Sequence, residues 1–150
     1  MATYRTVRML TISDAAYIAG LVDGEGTVTL TRKHRNENHQ LVLSISNTDF
    51  ALLRYVYETV GAGKITAKRT TSPNHTPSYT YAIYNRQALS LLKQLLPYLR
   101  TYKSKRASLI LKHYVSLTRR NGKYTEEQLN QRRSFVETVL SIRPGQPSFP

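Results

Sequence analysis

Residues 17–26 decide the fold, and they read Tyr17-Ile18-Ala19-Gly20-Leu21-Val22-Asp23-Gly24-Glu25-Gly26. Ser13 or Asp14, just upstream, is a suitable N-cap, so the pattern predicts a short helix over residues 15–22. Alanine and glycine are frequent in this segment, although a glycine inside a helix costs about 1 kcal/mol relative to alanine. We therefore expect another backbone to approach this helix closely.

The segments that follow alternate between strand and helix patterns. Alternating apolar and polar residues predict four strands, at residues 27–33, 40–47, 63–68 and 78–84. Helical spacing predicts a helix after each pair of strands, the first capped by Thr48 or Asp49 and the second by Asn85. Two more amphipathic helices are expected at residues 104–118 and 125–141, where Thr125 and Gln128 can form a capping box.

This order of elements predicts one α+β domain with an α-β-β-α-β-β-α core. We expect the four strands to form an antiparallel, saddle-shaped sheet that is backed by the helices, with further helices towards the C-terminus. The domain is assigned to residues 13–142, between an N-terminal leader at residues 1–12 and a loose tail at residues 143–150. A chain of 150 residues is long enough to bury one core.

The chain is strongly basic. It contains 22 Lys and Arg against 9 Asp and Glu, which gives a formal net charge of +13. Thirteen of the cations lie within residues 59–125, a stretch that contains no Asp or Glu. Such a field attracts phosphate backbones, so nucleic acid is favoured as the partner over a membrane surface or a merely soluble role.

The composition also excludes several classes of protein. The absence of cysteine rules out a disulfide scaffold, a thiolate nucleophile and a Cys-containing zinc finger. No apolar run reaches the roughly 18 residues of a membrane span, and no secretory leader is recognisable. We therefore expect an intracellular protein, in the cytoplasm, the nucleoid or an organelle matrix, with no membrane partner.

One face of the predicted sheet is expected to lack apolar cover. Its side chains are polar, basic and aromatic, and a twisted antiparallel ribbon that carries such side chains fits the DNA major groove and can read base edges there. The residues assigned to this face are Thr27, Thr29, Thr31, Lys33, Gln40, Val42, Ser44, Ser46, Lys64, Thr66, Lys68, Tyr79 and Tyr81.

Residues 17–26 resemble the LAGLIDADG signature of homing endonucleases. Small residues at Ala19 and Gly20 and an apolar pair precede two acids that one glycine separates. The predicted order of elements is also similar to that family over about residues 14–111. The resemblance implies a sequence-specific endonuclease that cuts double-stranded DNA.

A single motif in the chain implies a homodimer, because a helix that packs against a copy of itself needs a second chain. The residues expected in that interface are Ala16, Ala19 and Gly20. The paired helices would then bring two copies of Glu25 together at the two-fold axis.

Hydrolysis of a phosphodiester needs a divalent cation that activates water and offsets the charge on the leaving oxygen. In the family, the second acid of the motif and the carbonyl before it ligate this metal, which implies Glu25 and Gly24 as ligands of Mg²⁺. Asp23 fills the first acidic position, and we count it with the catalytic residues in a structural or supporting role.

The resemblance also implies two further site residues. Family members place a lysine near the scissile phosphate, where it stabilises charge, and Lys103 is the best match, with the DNA-contacting Lys105 next. Family members often place a Gln at the end of the second strand to hold a water. Here Ser46, Asn47 and Asp49 occupy that segment, so the sequence leaves this role open.

By this resemblance, a Mg²⁺-dependent homodimer cuts a long, near-palindromic site across the minor groove and leaves short 3′ overhangs. Two alternatives stay open. An RNA maturase of similar fold would assist intron splicing and tolerate loss of Glu25, and a DNA-binding regulator on the same scaffold would not cut at all.

Overall fold

A computed structural model describes residues 5–68, 72–118, 122–145 and 147–149. The helices are α1 (Ile12–Glu25), α2 (Phe50–Val60), α3 (Asn85–Leu95), α4 (Lys103–Leu117) and α5 (Glu126–Ser141), with a 3-10 turn at Leu96–Tyr98. The strands are β1 (Gly26–Thr31), β2 (Gln40–Asn47), β3 (Lys64–Ala67) and β4 (Tyr79–Tyr84). This order confirms the predicted α+β fold and its α-β-β-α-β-β-α core.

The four strands form one open antiparallel sheet in the order β1-β2-β4-β3. Its register places Val28 opposite Leu43, and Ile45 opposite Tyr81. Since side chains alternate between the two faces of a sheet, these residues all share one face. That face packs against the helices, and its buried residues are Val28, Leu30, Leu41, Leu43, Ile45, Tyr81 and Ile83.

The helices complete the core from one side of the sheet. Their buried residues are Ala15, Ile18, Ala19 and Val22 in α1, Leu53, Val56 and Val60 in α2, Ala88, Leu91, Leu92 and Leu95 in α3, Ala107, Ile110 and Tyr114 in α4, and Val136 and Val139 in α5. All of these side chains and the inner sheet residues belong to one cluster, so the opposite face of the sheet carries no helical layer.

Helix α1 is longer than the sequence predicts. Thr11, rather than Ser13 or Asp14, is its N-cap, and the Thr11 hydroxyl accepts a hydrogen bond from the Asp14 backbone at 3.1 Å. At the other end the helix continues through Gly24 to Glu25. The predicted end near residue 22 is therefore wrong, because the cost of a helical glycine is small compared with the burial of the helix face.

The other predicted caps have mixed outcomes. Asp49 caps α2, Gly61 ends it in the left-handed conformation with φ 78°, and Thr125 forms the expected capping box with Gln128. Asn85 does not cap α3, because it is the first helical residue and has φ 53°. Its side-chain amide instead donates a hydrogen bond to the Gln40 side chain at 3.1 Å and accepts one from the Tyr114 hydroxyl at 2.7 Å.

Within the described ranges, no helix has the length and apolar character that crossing a membrane requires.

Candidate active site and nucleic-acid interface

Helix α1 has one face that the chain covers and one that it leaves open. Ala15, Ile18, Ala19 and Val22 lie in the core, with exposures between 0 and 4%. Ala16, Tyr17, Gly20 and Gly24 are exposed. Ala19 was assigned to a dimer interface, and that assignment is wrong, because its side chain is 0% exposed inside its own chain.

The three glycines of α1 and its C-cap have different surroundings. Apart from the neighbouring backbone of its own helix, a methyl group added at Gly20 or Gly24 would meet no described atom within 4 Å. A methyl group added at Gly26 would lie 2.7 Å from the Val22 Cα and 2.8 Å from the Ser44 carbonyl oxygen. The close packing of α1 against β2 therefore requires Gly26, whereas no contact within the described chain requires Gly20 or Gly24.

Asp23 ties the end of α1 to the segment before α4. Its carboxylate accepts hydrogen bonds from the backbone N–H groups of Arg100 at 2.8 Å and Thr101 at 3.2 Å, and from the Thr101 hydroxyl. Burial would raise the pKa of Asp23, but these hydrogen bonds and the nearby Lys103 ammonium outweigh it and lower that pKa below its ordinary value. Asp23 thus has a structural role in this conformation.

Lys103, the first residue of α4, also joins the end of α1 to the start of α4. Its side chain is 7% exposed, and its ammonium donates to the carbonyl oxygens of Val22 and Asp23, both at 2.8 Å. Burial lowers the pKa of Lys103 below its ordinary value, and the Asp23 carboxylate opposes this only in part. A cation at this point gives a donor to the Asp23 carbonyl, adds a second donor to the Val22 carbonyl, which already accepts the Gly26 N–H, and complements the negative end of the helix dipole.

The assignment of Lys103 to a scissile phosphate stays a prediction, and the structure places its ammonium at the end of α1 that carries Glu25. Its ammonium lies against the end of α1, where the carbonyls of the two residues directly before Gly24 hold it. Lys105, in the first turn of α4, is exposed. Of the two lysines, Lys105 is thus the one whose side chain is open to a phosphate.

Glu25 differs from Asp23 although only Gly24 separates them. It is the last residue of α1, it is exposed, and within the described residues its carboxylate has no hydrogen bond or ion pair. The Gly24 carbonyl is among the last four of the helix, which have no partner further along the helix. An unpaired carboxylate beside such a carbonyl, at the negative end of a helix, suits a hard divalent cation.

One chain does not supply a complete metal site by itself. In the part of the chain that the structure describes, no group of three or more His, Cys, Asp and Glu side chains could hold a metal ion. A cation at Glu25 would therefore need further oxygen ligands from water, from a nucleic acid or from a second chain.

The outer face of the sheet has the predicted polar character. Strand pairing places Thr27 opposite Ser44, Thr31 opposite Gln40 and Thr66 opposite Thr80 on this face. It also carries Thr29, Val42, Ser46 and Lys64, and Val42 is 8% exposed. Lys33 and Lys68 lie just beyond β1 and β3, and both are exposed.

Two tyrosines assigned to this face lie on the other one. Tyr81 is 0% exposed, and its hydroxyl donates to the Ala62 carbonyl at 2.7 Å. Tyr79 shares that side and packs edge-on against Phe50 of α2, with ring centroids 5.2 Å apart. The assignment of Tyr79 and Tyr81 to DNA binding is therefore wrong, because β4 pairs with β2 in a register that places Tyr81 opposite the buried Ile45.

Tyr84 and Thr80 are the residues of β4 that the sequence analysis missed. Tyr84 lies opposite Val42 on the outer face, and the Lys64 ammonium lies 5.3 Å from its ring centroid. The Thr80 hydroxyl forms a hydrogen bond with the Ser46 hydroxyl at 2.9 Å. The apolar Ile83 was the available signal, since it marks the odd-numbered residues of this strand as inward-facing.

The three residues considered for holding a water are all engaged locally. Ser46 bonds Thr80, the Asn47 side chain accepts from the Asp49 backbone at 2.7 Å, and Asp49 accepts from the Ala51 backbone at 3.0 Å. Asp49 and Asn47 thus organise the start of α2. The structure does not select one of the three for a water.

Comparisons with known proteins agree with this architecture. The chain shares its fold with the homing endonuclease I-CvuI in complex with its target in the presence of Ca²⁺, with a TM-score of 0.67 and 18% identity over 93% of this chain and 87% of that one. The archaeal intron-encoded homing endonuclease I-Vdi141I, complexed with DNA, gives a TM-score of 0.59 and 15% identity over 92% and 89% of the two chains. The LAGLIDADG meganuclease I-AabMI, bound to uncleaved DNA, gives a TM-score of 0.59 and 22% identity over 89% of this chain and 46% of that one.

The fold of this chain is thus the fold of these homing endonucleases. The sequence profile of the LAGLIDADG endonuclease family matches residues 18–114, which covers most of the chain and begins inside α1. The chain belongs to the LAGLIDADG endonuclease family. No curated protein sequence matches it significantly.

Proposed function

We propose that this protein is a sequence-specific DNA endonuclease that cuts double-stranded DNA as a homodimer. The observation that carries the proposal is Glu25, an exposed carboxylate without a partner in the described chain, at the end of a helix whose outer face is open. Family membership supplies the nuclease class. The basic charge of the chain, +13, favours a polyanionic substrate.

The dimer is supported by the open face of α1. Gly20 and Gly24 each weaken an isolated helix by about 1 kcal/mol relative to alanine, and the described chain places nothing against them. Close approach of a second α1 helix explains both glycines, and Ala16 and Tyr17 lie on the same face. In a two-fold dimer the same surface serves both partners, so each small residue acts twice.

The lengths of the similar structures agree with two units per active protein. The chain covers 87% of I-CvuI but only 46% of I-AabMI, which is about twice as long. Two units of this size therefore fit within one chain of the longer protein, whereas the present chain would obtain its second unit from another copy.

The outer face of the sheet is the surface that we propose for the DNA major groove. Its threonines, serines and Gln40 offer hydrogen bonds to base edges, and Val42 beside Tyr84 offers an apolar contact for a thymine methyl group. Lys33, Lys64 and Lys68 are exposed around that face and suit phosphate contacts, which set affinity rather than specificity. Lys105 is assigned to a phosphate near Glu25.

The metal of this site is proposed to be Mg²⁺, with the Glu25 carboxylate and the Gly24 carbonyl as the protein ligands. When bound, such an ion activates a water and offsets charge on the leaving oxygen. The protein residues around it fix its ligands: Lys103 and Asp23 hold the last turn of α1, and Gly26 lets that turn lie against β2. The short 3′ overhangs and the near-palindromic site follow from the family resemblance and belong to the same proposal, as does an intracellular location.

The decisive experiment replaces Glu25. Duplexes that the purified protein binds are first selected from a randomised pool, and the selected duplex then serves for binding and cleavage. We expect Glu25→Gln to lower the cleavage rate by at least about 10³-fold, because loss of the ligand removes several kcal/mol of stabilisation of the transition state. Duplex binding should stay within about twofold of the wild type, since Glu25 reads no base.

The matched control is Glu127→Gln, which removes an exposed carboxylate from the first turn of α5. It should leave both cleavage and binding unchanged. Unchanged cutting by Glu25→Gln would refute the proposed site. A wild-type protein that binds the duplex, never cuts it and promotes splicing of its parent intron would establish the maturase alternative instead.

A further inference from the structure

A second basic feature lies away from the outer face of the sheet, between the β1–β2 loop and helix α5. It is a cleft of about 510 Å³. Its charged lining consists of Arg32, Arg35 and Glu37 from the loop and Arg132, Arg133 and Glu137 from α5. None of these residues was assigned a role above.

The cleft is cationic and its charges are not neutralised internally. Four guanidinium groups face two carboxylates, and in the described part of the chain neither Glu37 nor Glu137 forms an ion pair with any of the four arginines. Burial, together with the positive charges of Arg32 and Arg132, lowers the pKa of the neighbouring His39 below its ordinary value. The excess of guanidinium groups over carboxylates makes the cleft positive, and an anion is the ligand that this potential favours.

The cleft is held in shape by Arg132. This side chain is 8% exposed, and its guanidinium donates to the carbonyl oxygens of His39 at 2.7 Å and Leu117 at 3.0 Å, and to the Tyr124 hydroxyl at 3.1 Å. The loop is therefore tied to both α4 and α5 by one buried cation. A preformed cleft loses less entropy on binding than a loop that must first be ordered.

Two other arginines keep donors available for a ligand. Arg35 is exposed, and its guanidinium makes no hydrogen bond within the described residues, while its carbonyl accepts from Arg32 at 2.8 Å. Arg133 is exposed and makes one long bond, 3.3 Å, to Asn130. Planar guanidinium groups match the geometry of a phosphate oxygen pair.

The position of the cleft indicates which phosphate it would meet. Strand β1 begins at Gly26, next to Glu25, and ends at Thr31, next to Arg32. Its six residues span about 17 Å at the usual rise per strand residue. A duplex that runs along the outer face of the β1–β2 hairpin would advance about five base pairs over this length. The cleft lies at the far end of the hairpin, on its helical side, where the exposed Arg35 of the loop lies between the cleft and the end of the outer face.

We propose that this cleft binds a backbone phosphate of the DNA flank, outside the base pairs that the sheet reads. Arg35 and Arg133 donate to the phosphate oxygens, and Arg132 fixes the loop that carries Arg35. The proposal rests on the proposed function, because it assumes that a duplex lies along the outer face. It adds one non-specific contact per chain and lengthens the bound site.

The test uses the full-length chain and the selected duplex, shortened one base pair at a time from both ends. The wild type should lose affinity about tenfold in one step, at the length where the outer phosphate disappears. At that step, the slope of log affinity against log salt should fall by about 2, since a dimer loses two phosphate contacts. The double variant Arg35→Gln/Arg133→Gln should bind the long duplex about tenfold more weakly than the wild type and show no such step.

The matched control is Lys93→Gln, which removes an exposed cation from α3, on the helical side of the sheet. Like the wild type, Lys93→Gln should lose affinity about tenfold in one step as the duplex is shortened. A double variant that retains the step, or a wild type that shows none although it binds the duplex, would overturn this inference alone. A wild type that binds no duplex would overturn the proposed function as well. Thermal unfolding of each variant checks that these exposed substitutions leave the fold intact.

Discussion

The two faces of helix α1 differ in how far contacts within the chain account for their residues. On the inner face, Ile18 and Val22 are buried, and the end of the helix is secured by Asp23 and Lys103. On the outer face, Gly20 has no neighbour within 4 Å, and Glu25 has no partner in the described chain. Packing and hydrogen bonds within the described chain account for Ile18, Val22 and Asp23, but they account for neither Gly20 nor Glu25 on the outer face.

This difference separates the residues that the fold needs from those that it does not. An alanine or a longer side chain at Gly20 would strengthen the helix, and a neutral residue at Glu25 would remove no bond that the chain makes. Such residues call for an explanation outside the chain. A second helix accounts for the glycine, and a cation shared with DNA accounts for the carboxylate.

The largest effect is expected for Gly20→Leu, which would disrupt the helix contact proposed for the outer face of α1 and leave the packing of the inner face intact. Each leucine would force the paired helices apart at a cost of roughly 1–3 kcal/mol, and the two-fold symmetry doubles it. Dimer affinity should fall by roughly 30-fold to 10⁴-fold, and cleavage with it. Sedimentation equilibrium and the cleavage rate measure the two quantities.

The control for Gly20→Leu lies one residue away on the inner face. Ala19→Leu places the same side chain where the existing one is 0% exposed, so it should lower the free energy of unfolding instead. Gly20→Leu should leave the far-UV circular dichroism of the folded chain unchanged. A Gly20→Leu protein that remains dimeric and active would show that the second helix does not pack here.

The next largest effect is expected for Gly26→Ala. The added methyl group would lie 2.7 Å and 2.8 Å from backbone atoms of Val22 and Ser44, which cannot rotate away. We expect the free energy of unfolding to fall by roughly 3 kcal/mol. Urea unfolding at fixed protein concentration measures it. Gly24→Ala is the matched control, and in the monomeric chain it should raise the free energy of unfolding by up to about 1 kcal/mol, because the added methyl group meets nothing within 4 Å in its own chain. Equal effects of both substitutions would contradict the distinction between the two faces.

Much of the inner architecture could be predicted from the sequence. The alternation of apolar residues at Val28 and Leu30 and at Leu41, Leu43 and Ile45 identifies the inward side of β1 and β2, because one set in each strand is plainly apolar. In β4 both sets contain a tyrosine, and Ile83 is the one strongly apolar residue that favours the odd-numbered set. The pairing register with β2 decides the outcome, and register is a property of two strands.

The outer face was predictable in kind but not in every residue. Small residues indicate a close helix contact, but the sequence does not say that Ala19 faces the core while Gly20 faces outward, since both fit a helix interface. A basic run likewise indicates phosphate contacts and does not reveal that Lys103 reaches back to the end of α1. The contact joins residues 80 positions apart, and only the tertiary fold brings them together.

A smaller effect is expected for Lys103→Met. The substitution keeps an apolar stem but leaves the Asp23 carbonyl without its donor and the Val22 carbonyl with only the Gly26 N–H, at a cost of about 2 kcal/mol in the free energy of unfolding. Lys105→Met, on an exposed residue of the same helix, should cost less than about 0.5 kcal/mol. Urea unfolding of both variants tests the difference. If Lys103→Met abolished cleavage while leaving stability unchanged, the lysine would act on the phosphate and not on the helix end.

The smallest effect is expected in the pH dependence of stability, and it depends on Asp23. The pKa of this carboxylate in the folded chain lies below its ordinary value of 3.8, because the hydrogen bonds from residues 100 and 101 outweigh its burial. The group is then charged in the folded chain at a pH where the unfolded chain already binds a proton. Its contribution to stability is therefore fully present above about pH 4 and is lost as the pH falls through the folded pKa. Asp23→Asn should cost about 1 kcal/mol at pH 7, and the difference from the wild type should shrink on acidification below pH 4. Urea midpoints across this range measure it. A difference that stayed constant with pH would show that the Asp23 carboxylate is not what holds the end of α1.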